Sequence, residues 1–478
     1  MNQEAAQTMN QEAAQTYFYQ ANELLKEDQL DRAISLYRSA IAADPYTALF
    51  HHRLGETLLT KGLINESITS HRKAVELQSG VSWFYYRLGQ ALAQQGNLDE
   101  ALINLQTAMQ IQADLPGIHD NLGNVLQQKG KFDEAFTCYL NAIKINPNAL
   151  NNYSDVLSYS TLSQTQLKQA INCFKKLIFE HNDIPLVYTT LGNLLTKKGQ
   201  IDAAISYYQT AVYKQTLASH PELCSKSWNL GEVQGPNFLI IGGMRCGTTS
   251  LYEYICQHPQ ILPALKKEVQ FWSWEYAKGI DWYLAHFPPI TNRQFITGEA
   301  TPCIISPHVW DRIFEHFPKI KLIVILRNPI DRALSHYYHL QRSLAWERRA
   351  FESAIASEME VIRAMENPTL ADETFCEIEY GYLLSGLYVC FLEKWMNIFP
   401  REQFLILRSE DFYTDPSVQM QKVFDFLNLP DYRLEHYEKY NLGTYTDMSA
   451  SLRRKLSDFF QPYNQKLEEY LGMKFNWD

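Results

Sequence analysis

A chain of 478 residues is too long for one ordinary core, and at roughly 100–200 residues per domain it implies about two to four folding units. Its composition, 46% hydrophobic and 20% charged with a net charge of −10, is that of a globular protein and argues against a nucleic-acid binder, although a local basic pocket is compatible with it. No run approaches the ~18 apolar residues of a membrane span, and the Gln-, Ala- and Glu-rich start lacks the basic-then-apolar order of a signal peptide, so the expectation is a cytoplasmic protein without a transmembrane segment.

Residues 1–8 and 9–16 are the same octapeptide, MNQEAAQT, with no apolar face, which predicts a disordered or fraying tail. A longer period follows. "RLGETLL", "RLGQALA" and "NLGNVLQ" place glycines at 55, 89 and 123, each 34 residues apart, and Gly192 in "TLGNLLT" comes 69 later. In the same register small residues recur at Ala33, Ser67, Ala101, Ala135, Ala170 and Ala204. Large ones follow at Tyr37, His71, Leu105, Tyr139, Phe174 and Tyr208, and the next small positions are Ala40, Ala74, Ala108, Ala142 and Ala211, with Leu177 as the exception. Gly and Ala let two helices approach closely, and the large residue is expected to fill the gap into the next unit. A 34-residue helix-turn-helix with this pattern resembles the tetratricopeptide repeat. Six units over residues 17–217 are expected, the fifth with Ser158 in the glycine slot and one extra residue. Such a stack either solubilises or dimerises the chain, or offers a concave face to a protein partner or an acceptor.

Between 218 and 235 the register dissolves into a linker. Beyond it, from 236 to 478, short apolar runs alternate with helical patterns: "NFLII" from Asn237, "QFITGE" from Gln294, "KLIVIL" from Lys321 and "QFLIL" from Gln403. They predict an α/β domain with a buried parallel sheet, with ligands beyond the carboxyl ends of the strands.

"GGMRCGTTSL", Gly242 to Leu251, follows the first of these strands. It looks like a phosphate-binding loop, but Thr248 stands where a nucleoside triphosphatase has its lysine. Gly242, Gly243 and Gly247 permit a tight turn. Thr248, Thr249 and Ser250 open a helix whose N–H groups, hydroxyls and dipole converge on an anion, and Arg245 adds a planar cationic fork. Cys246 is expected to be a small residue in the turn. The other cysteines (Cys138, Cys173, Cys224, Cys256, Cys303, Cys376 and Cys390) form no C-x-x-C pair or zinc-like cluster, which predicts free, mostly buried thiols.

Two further elements carry chemistry. In "LIVILRNPIDRALSHYYH" a strand delivers Arg327 to its carboxyl edge, and the following helix carries Ser335, so guanidinium and hydroxyl can hold one phosphate. In "KKEVQFW" Glu268 is a candidate proton acceptor beside Lys267, with Phe271 and Trp272 expected to shield it from water. An isolated Lys267–Glu268 pair would also suit a surface salt bridge.

Together these elements resemble the sulfotransferases, most closely the heparan sulfate sulfotransferase-like branch. "GIDWYLAHFP", "GEATP", "SGLYVCFLEKWMNIFP" and "SEDFYTDP" extend the likeness over residues 236–478. The resemblance implies a three-layer, P-loop-like fold and sulfuryl transfer from 3′-phosphoadenylyl sulfate (PAPS) to a hydroxyl or amine, without a metal. It assigns the 5′-phosphosulfate to Arg245, Cys246, Gly247, Thr248, Thr249 and Ser250, the 3′-phosphate to Arg327 and Ser335, and a loop over the 3′ end to Gly443 and Tyr445. It makes Glu268 the base and lets Lys267 steer the acceptor or the transferred group. Three departures stand out. Arg245 replaces the usual loop lysine, so it stabilises charge and does not donate a proton. Gln270 and Ser273 stand where glycan-modifying members often have His and Asp, and no cysteine follows Cys390 to form the disulfide some members place near the last loop. Glycan or glycolipid leads as acceptor over a phenol, a lipid headgroup or a peptide tyrosine. A nucleotide kinase or hydrolase and an inactive repeat scaffold are the rival readings.

Overall fold

A computed structural model describes residues 3–147, 150, 162–224, 235–290, 294–306, 308–341, 347, 349–364, 381–438 and 448–477. The chain divides into two compact units, Met1–Asn182 and Asp183–Asp478.

The first unit is made of antiparallel helix pairs: α1 (Gln3–Lys26) with α2 (Leu30–Ala43), α3 (Ala48–Thr60) with α4 (Ile64–Leu77), α5 (Ser82–Gln95) with α6 (Leu98–Ile111), and α7 (Ile118–Gln128) with α8 (Phe132–Ile145). A further helix, α9 (Gln164–Glu180), starts at a reciprocal capping box between Ser163 and Gln166. Ser158 of the fifth repeat lies outside the described residues. The register glycines work by close approach. A Cβ at Gly55, Gly89 or Gly123 would come within 2.8, 2.7 and 2.5 Å of His71, Leu105 and Tyr139. Each large residue thus seals the helix pair of its own repeat, not the gap into the next unit. Its polar tip can then bond within that repeat, as Tyr37 Oη does to Asn22 at 2.7 Å and Tyr139 Oη to Asn124 at 3.0 Å.

The duplicated octapeptide is not a separate tail: from Gln3 onward it is continuous with α1, and Ala14, Phe18 and Ala21 are buried in the first core cluster. Gln, Glu and Ala are good helix formers, so a helix anchored by that cluster propagates through a stretch with no apolar face.

The second unit begins with a helix pair of the same kind, α10 (Pro185–Lys197) and α11 (Ile201–Ser219), in which Gly192 meets the Tyr208 ring. Residues 225–234, most of the expected linker, lie outside the described residues. A four-stranded, all-parallel sheet follows, with β1 (Phe238–Gly242), β2 (Gly298–Glu299), β3 (Lys321–Leu326) and β4 (Phe404–Arg408) in the order β2-β1-β3-β4. Each strand coincides with one of the four apolar runs, β1 and β4 extending one residue beyond theirs to Gly242 and Arg408. β1 is buried along its whole length and β3 at all but its first residue, as expected for strands covered on both faces. Helices α12 (Thr248–Cys256) and α13 (Ile280–Leu284) connect β1 to β2, and α14 (Val309–His316) connects β2 to β3. Between β3 and β4 lie α15 (Pro329–His339), α16 (Phe351–Ala364) and α17 (Tyr388–Ile398), and after β4 come α18 (Ser409–Thr414), α19 (Pro416–Leu427) and α20 (Ala450–Leu471). No helix among the described residues is long and apolar enough to cross a membrane.

Candidate active site

The carboxyl ends of β1 and β3 lie side by side, and the loop after β1 is fastened there by a 2.6 Å hydrogen bond from Gly243 N to Ile325 O. Gly247, with φ +106°, caps α12, and a Cβ there would sit 2.8 Å from Tyr413 Oη. Only glycine suits both the left-handed backbone and the contact. Cys246 is buried, its thiol 3.6 Å from Tyr388 Oη, and burial pushes its pKa up. It is a packed, protonated turn residue, and any contact with an anion would come from its main chain. Among the described residues all cysteines are free, and Cys138, Cys173, Cys303 and Cys390 are buried as well.

Arg245, Arg327 and Ser335 converge on one side of this loop. Arg245 has a left-handed φ of +66°, and its Nε lies 3.4 Å from Ser335 Oγ on α15. Arg327, at the end of β3, donates to the Arg245 carbonyl at 3.4 Å, while its own carbonyl accepts from Tyr388 Oη at 2.9 Å. The turn into α15 is held by Asn328, whose side chain caps Ile330 N at 2.9 Å and whose N–H donates to Glu410 at 2.8 Å. Neither Arg245 nor Arg327 has a carboxylate partner among the described residues. Two guanidiniums beside a helix N-terminus, without carboxylate partners among the described residues, suit a ligand with more than one phosphate or sulfate group.

Lys267 and Glu268 stand on the other side. Lys267 Nζ donates to Thr249 Oγ1 at 2.9 Å and also to Glu268 Oε1, so one ammonium joins the loop to the candidate base. Glu268 Oε2 accepts from Gln270 Nε2 at 3.0 Å, and Gln270 Oε1 in turn accepts from Ser273 Oγ at 3.4 Å. Ser273 and Gln270 therefore form a relay that orients the carboxylate. The salt bridge that would suit a surface pair does form, but between side chains only 20% and 35% exposed and in contact with the loop. Phe271 and Trp272, expected beside Glu268, turn into the core. Both rings are fully buried in an aromatic cluster with Tyr276 and Tyr283, where the core uses their area.

Sequence reasoning missed two residues. Glu299, at the end of β2, is fully buried and accepts from Val269 N at 2.9 Å, Thr301 Oγ1 at 2.7 Å and Tyr283 Oη at 2.8 Å. Burial raises its pKa to about 7, against the opposing pull of those donors. It anchors the main chain just after Glu268, and its signal in the sequence was the "GEATP" strand end. His339, one turn beyond Ser335, has its pKa lowered by burial and then by the charge of Arg245, with Glu268 opposing. It therefore lies within electrostatic reach of both halves of the site. Gly443 and Tyr445 lie outside the described residues. Among the described residues no cluster of His, Cys, Asp or Glu suits a metal ion.

Comparison with known proteins bears on this geometry. The sulfotransferase-domain family matches residues 235–453, and tetratricopeptide-repeat families match 18–82, 89–130, 121–149 and 186–213. The mouse (Mus musculus) heparan sulfate glucosamine 3-O-sulfotransferase 5 is 31% identical over 272 residues, covering 51% of this chain and 74% of that enzyme. The membrane-associated sulfotransferase kil1 of Dictyostelium discoideum is 28% identical over 315 residues, 51% of this chain and 66% of that protein. A sulfotransferase from Alicyclobacillus acidocaldarius of known crystal structure shares 29% identity over 50% of this chain and 96% of its own, with a TM-score of 0.41.

Proposed function

From a chain that belongs to the sulfotransferase family and carries tetratricopeptide repeats ahead of its catalytic domain, we propose that it moves a sulfuryl group from PAPS to a hydroxyl or amine of a glycan or glycolipid. The observation that carries this reading is the line Thr249–Lys267–Glu268, which joins an anion-binding loop to a carboxylate through one ammonium. The glycan acceptor is supported by the mouse relative, whose name identifies heparan sulfate glucosamine as what it sulfates.

Each residue has a part. The first-turn amides of α12 and Thr249 hold the 5′ end of the donor, and Arg327, Arg245 and Ser335 hold its second anionic group. Glu268 accepts the proton of the acceptor oxygen as that oxygen bonds to sulfur. The bond from sulfur to the 5′-phosphate oxygen breaks in the same step, and its electron pair stays on that oxygen as adenosine 3′,5′-bisphosphate (PAP) leaves. Lys267 neutralises the charge growing on the leaving oxygen, a task that falls to it because the Arg245 guanidinium lies towards Ser335. Glu268, held by Lys267 and Gln270, keeps one fixed orientation between proton acceptance and release. The repeats of the first unit would recruit a protein partner or the acceptor.

Transfer of label from radioactive PAPS to desulfated heparosan oligosaccharides tests this reading. Glu268→Gln is expected to lower transfer on the order of a hundred- to ten-thousand-fold while leaving PAP affinity within about two-fold, because the cradle is intact. Full transfer by that variant would remove Glu268 as the base.

A further inference from the structure

The compact unit that carries the sheet begins at Asp183, so the last helical repeat folds with the catalytic domain. Several of its polar groups meet one short segment, Pro259 to Lys266. Gln215 Nε2 on α11 donates to Pro263 O at 3.1 Å, and the His220 ring lies 3.1 Å from Pro259 O. Lys266 Nζ donates to Asn193 Oδ1 on α10 at 2.5 Å and lies 5.6 Å from the centre of the Tyr208 ring. Tyr208 Oη donates to the same Asn193 oxygen at 2.9 Å and lies 3.1 Å from Thr196 Oγ1, which accepts from Trp282 Nε1 at 2.9 Å. The Tyr208 ring is fixed from behind by Gly192, where a Cβ would come within 2.5 Å, and from the front by His286 at 4.2 Å.

An ammonium in such a place is costly. Lys266 makes no ion pair among the described residues, and burial lowers its pKa to about 8, with the more distant charge of Glu275 opposing. The groups in contact with the ammonium are an amide oxygen and an aromatic face, which help to offset its desolvation. The next residue, Lys267, meets Thr249 and Glu268 instead, and its carbonyl accepts from Ala300 N at 2.8 Å. Consecutive lysines therefore tie the segment to the repeat on one side and to the phosphate-binding loop on the other.

We propose that the last repeat is a working part of the active site: a socket of Asn193 and Tyr208 holds the Lys266 ammonium and thereby positions Lys267 and Glu268 against the loop. Asn193, Tyr208 and Lys266 are positioning residues, and the inference rests on the roles given above to Lys267 and Glu268. Other repeats can change without touching the chemistry; this one cannot.

The test uses the full-length chain and three measurements: hydrogen–deuterium exchange at Leu265–Val269, PAP affinity by calorimetry, and labelled transfer to desulfated heparosan. Asn193→Leu removes the acceptor and is expected to raise exchange at Leu265–Val269 and lower kcat on the order of ten- to a hundred-fold, with PAP affinity and the exchange of Lys321–Leu326 unchanged. Asn193→Asp, which keeps an oxygen for the ammonium, restores both exchange and kcat. Should Asn193→Leu fail to fold, Tyr208→Phe keeps the ring, loses only the hydroxyl and shows the same changes at smaller size. Unchanged exchange and kcat in a folded Asn193→Leu protein overturn the proposal, as does a loss of PAP affinity equal to the loss of kcat or a failure of the aspartate to restore. If the wild-type protein sulfates no heparosan, the acceptor assignment falls, while the exchange result still decides the socket.

Discussion

Glu299→Gln separates the two roles that a buried carboxylate can combine here. Glu299 has three donors aimed at it and no cationic partner among the described residues, and its pKa stands near 7 where an ordinary Glu has 4.5. Below pH 4.5 both the folded and the unfolded chain carry the proton. Between 4.5 and 7 the unfolded chain releases it and the native state keeps it, so stability falls as pH rises, and above 7 the contribution is constant. At about 1.4 kcal/mol per pH unit, the window is worth on the order of 3 kcal/mol. Glutamine does not titrate. Its amide can point the oxygen at Val269 N and Thr301 Oγ1 only by turning its NH2 towards Tyr283 Oη, which must then accept; if that rotation is blocked, a buried donor is left without a partner at about 1–3 kcal/mol. Chemical denaturation of both proteins at pH 5, 6, 7 and 8 reads the difference directly, because every other titrating group is shared. The wild-type advantage over the glutamine protein should shrink steadily from pH 5 to pH 7 and then level off. A difference that is constant across that range refutes the raised pKa and leaves only the hydrogen-bond count.

Two further outcomes follow from the site and the repeats. Arg327→Ala should weaken PAP binding on the order of ten- to a hundred-fold, the range of a charge-assisted hydrogen bond. Arg327→Lys should recover only part of it, since one point charge cannot reach both the Arg245 carbonyl and a phosphate; equal affinity for the lysine and wild-type proteins in calorimetry would contradict this. His71 fills the large position of its repeat with both ring nitrogens buried and without a hydrogen-bond partner among the described residues, and burial, reinforced by His52, lowers its pKa to about 3. The native ring stays neutral while the unfolded chain binds a proton below about pH 6.5, so stability is lost as pH falls from 6.5 towards 3. His71→Leu, the residue that Leu105 provides one repeat later, should raise stability by about 1–3 kcal/mol at pH 7 and by more at pH 5. A melting temperature that does not rise, or a gain that does not grow on acidification, counts against it.

The repeats were legible because their signal is steric. A glycine every 34 residues is needed where a ring presses on the facing helix, and that contact recurs at Gly55, Gly123 and Gly192. The strands were legible because burial on both faces leaves short runs of Ile, Val, Leu and Phe. The loop and Arg327 could be placed from sequence because both sit at strand ends, where chain order and space coincide. Glu299 was not found, since one acidic residue at the end of a two-residue strand has no periodicity, and two of its three donors, Val269 and Tyr283, are 30 and 16 residues away in sequence. The core packing of Phe271 and Trp272 was not legible for a related reason. Adjacency to Glu268 in sequence said nothing about which way the rings turn, and the aromatic core claimed them.

The last repeat shows where sequence logic stops. Gly192, Ala204, Tyr208 and Ala211 obey the same register as the residues of the earlier repeats, so periodicity assigns α10 and α11 to the solenoid. Among the contacts that join them to the rest of the second unit is a pair of side chains 73 residues apart, Asn193 and Lys266. Neither residue breaks the pattern of its own segment. Tyr208 performs its ordinary task of covering Gly192 with one face of its ring, and its hydroxyl and the rest of its ring serve Asn193, Lys266 and His286. A packing position that recurs from repeat to repeat can thus take on a second function without any change of residue type. Lys267 sharpens the same point at the loop. The sequence placed Arg245 in the slot of a missing lysine, whereas the side chain that touches Thr249 is an ammonium 18 residues further on. If Lys267 does the work of the loop lysine, the cation that faces the transferred group is set by the segment that the last repeat holds, and the repeat and the chemistry are coupled through two adjacent lysines.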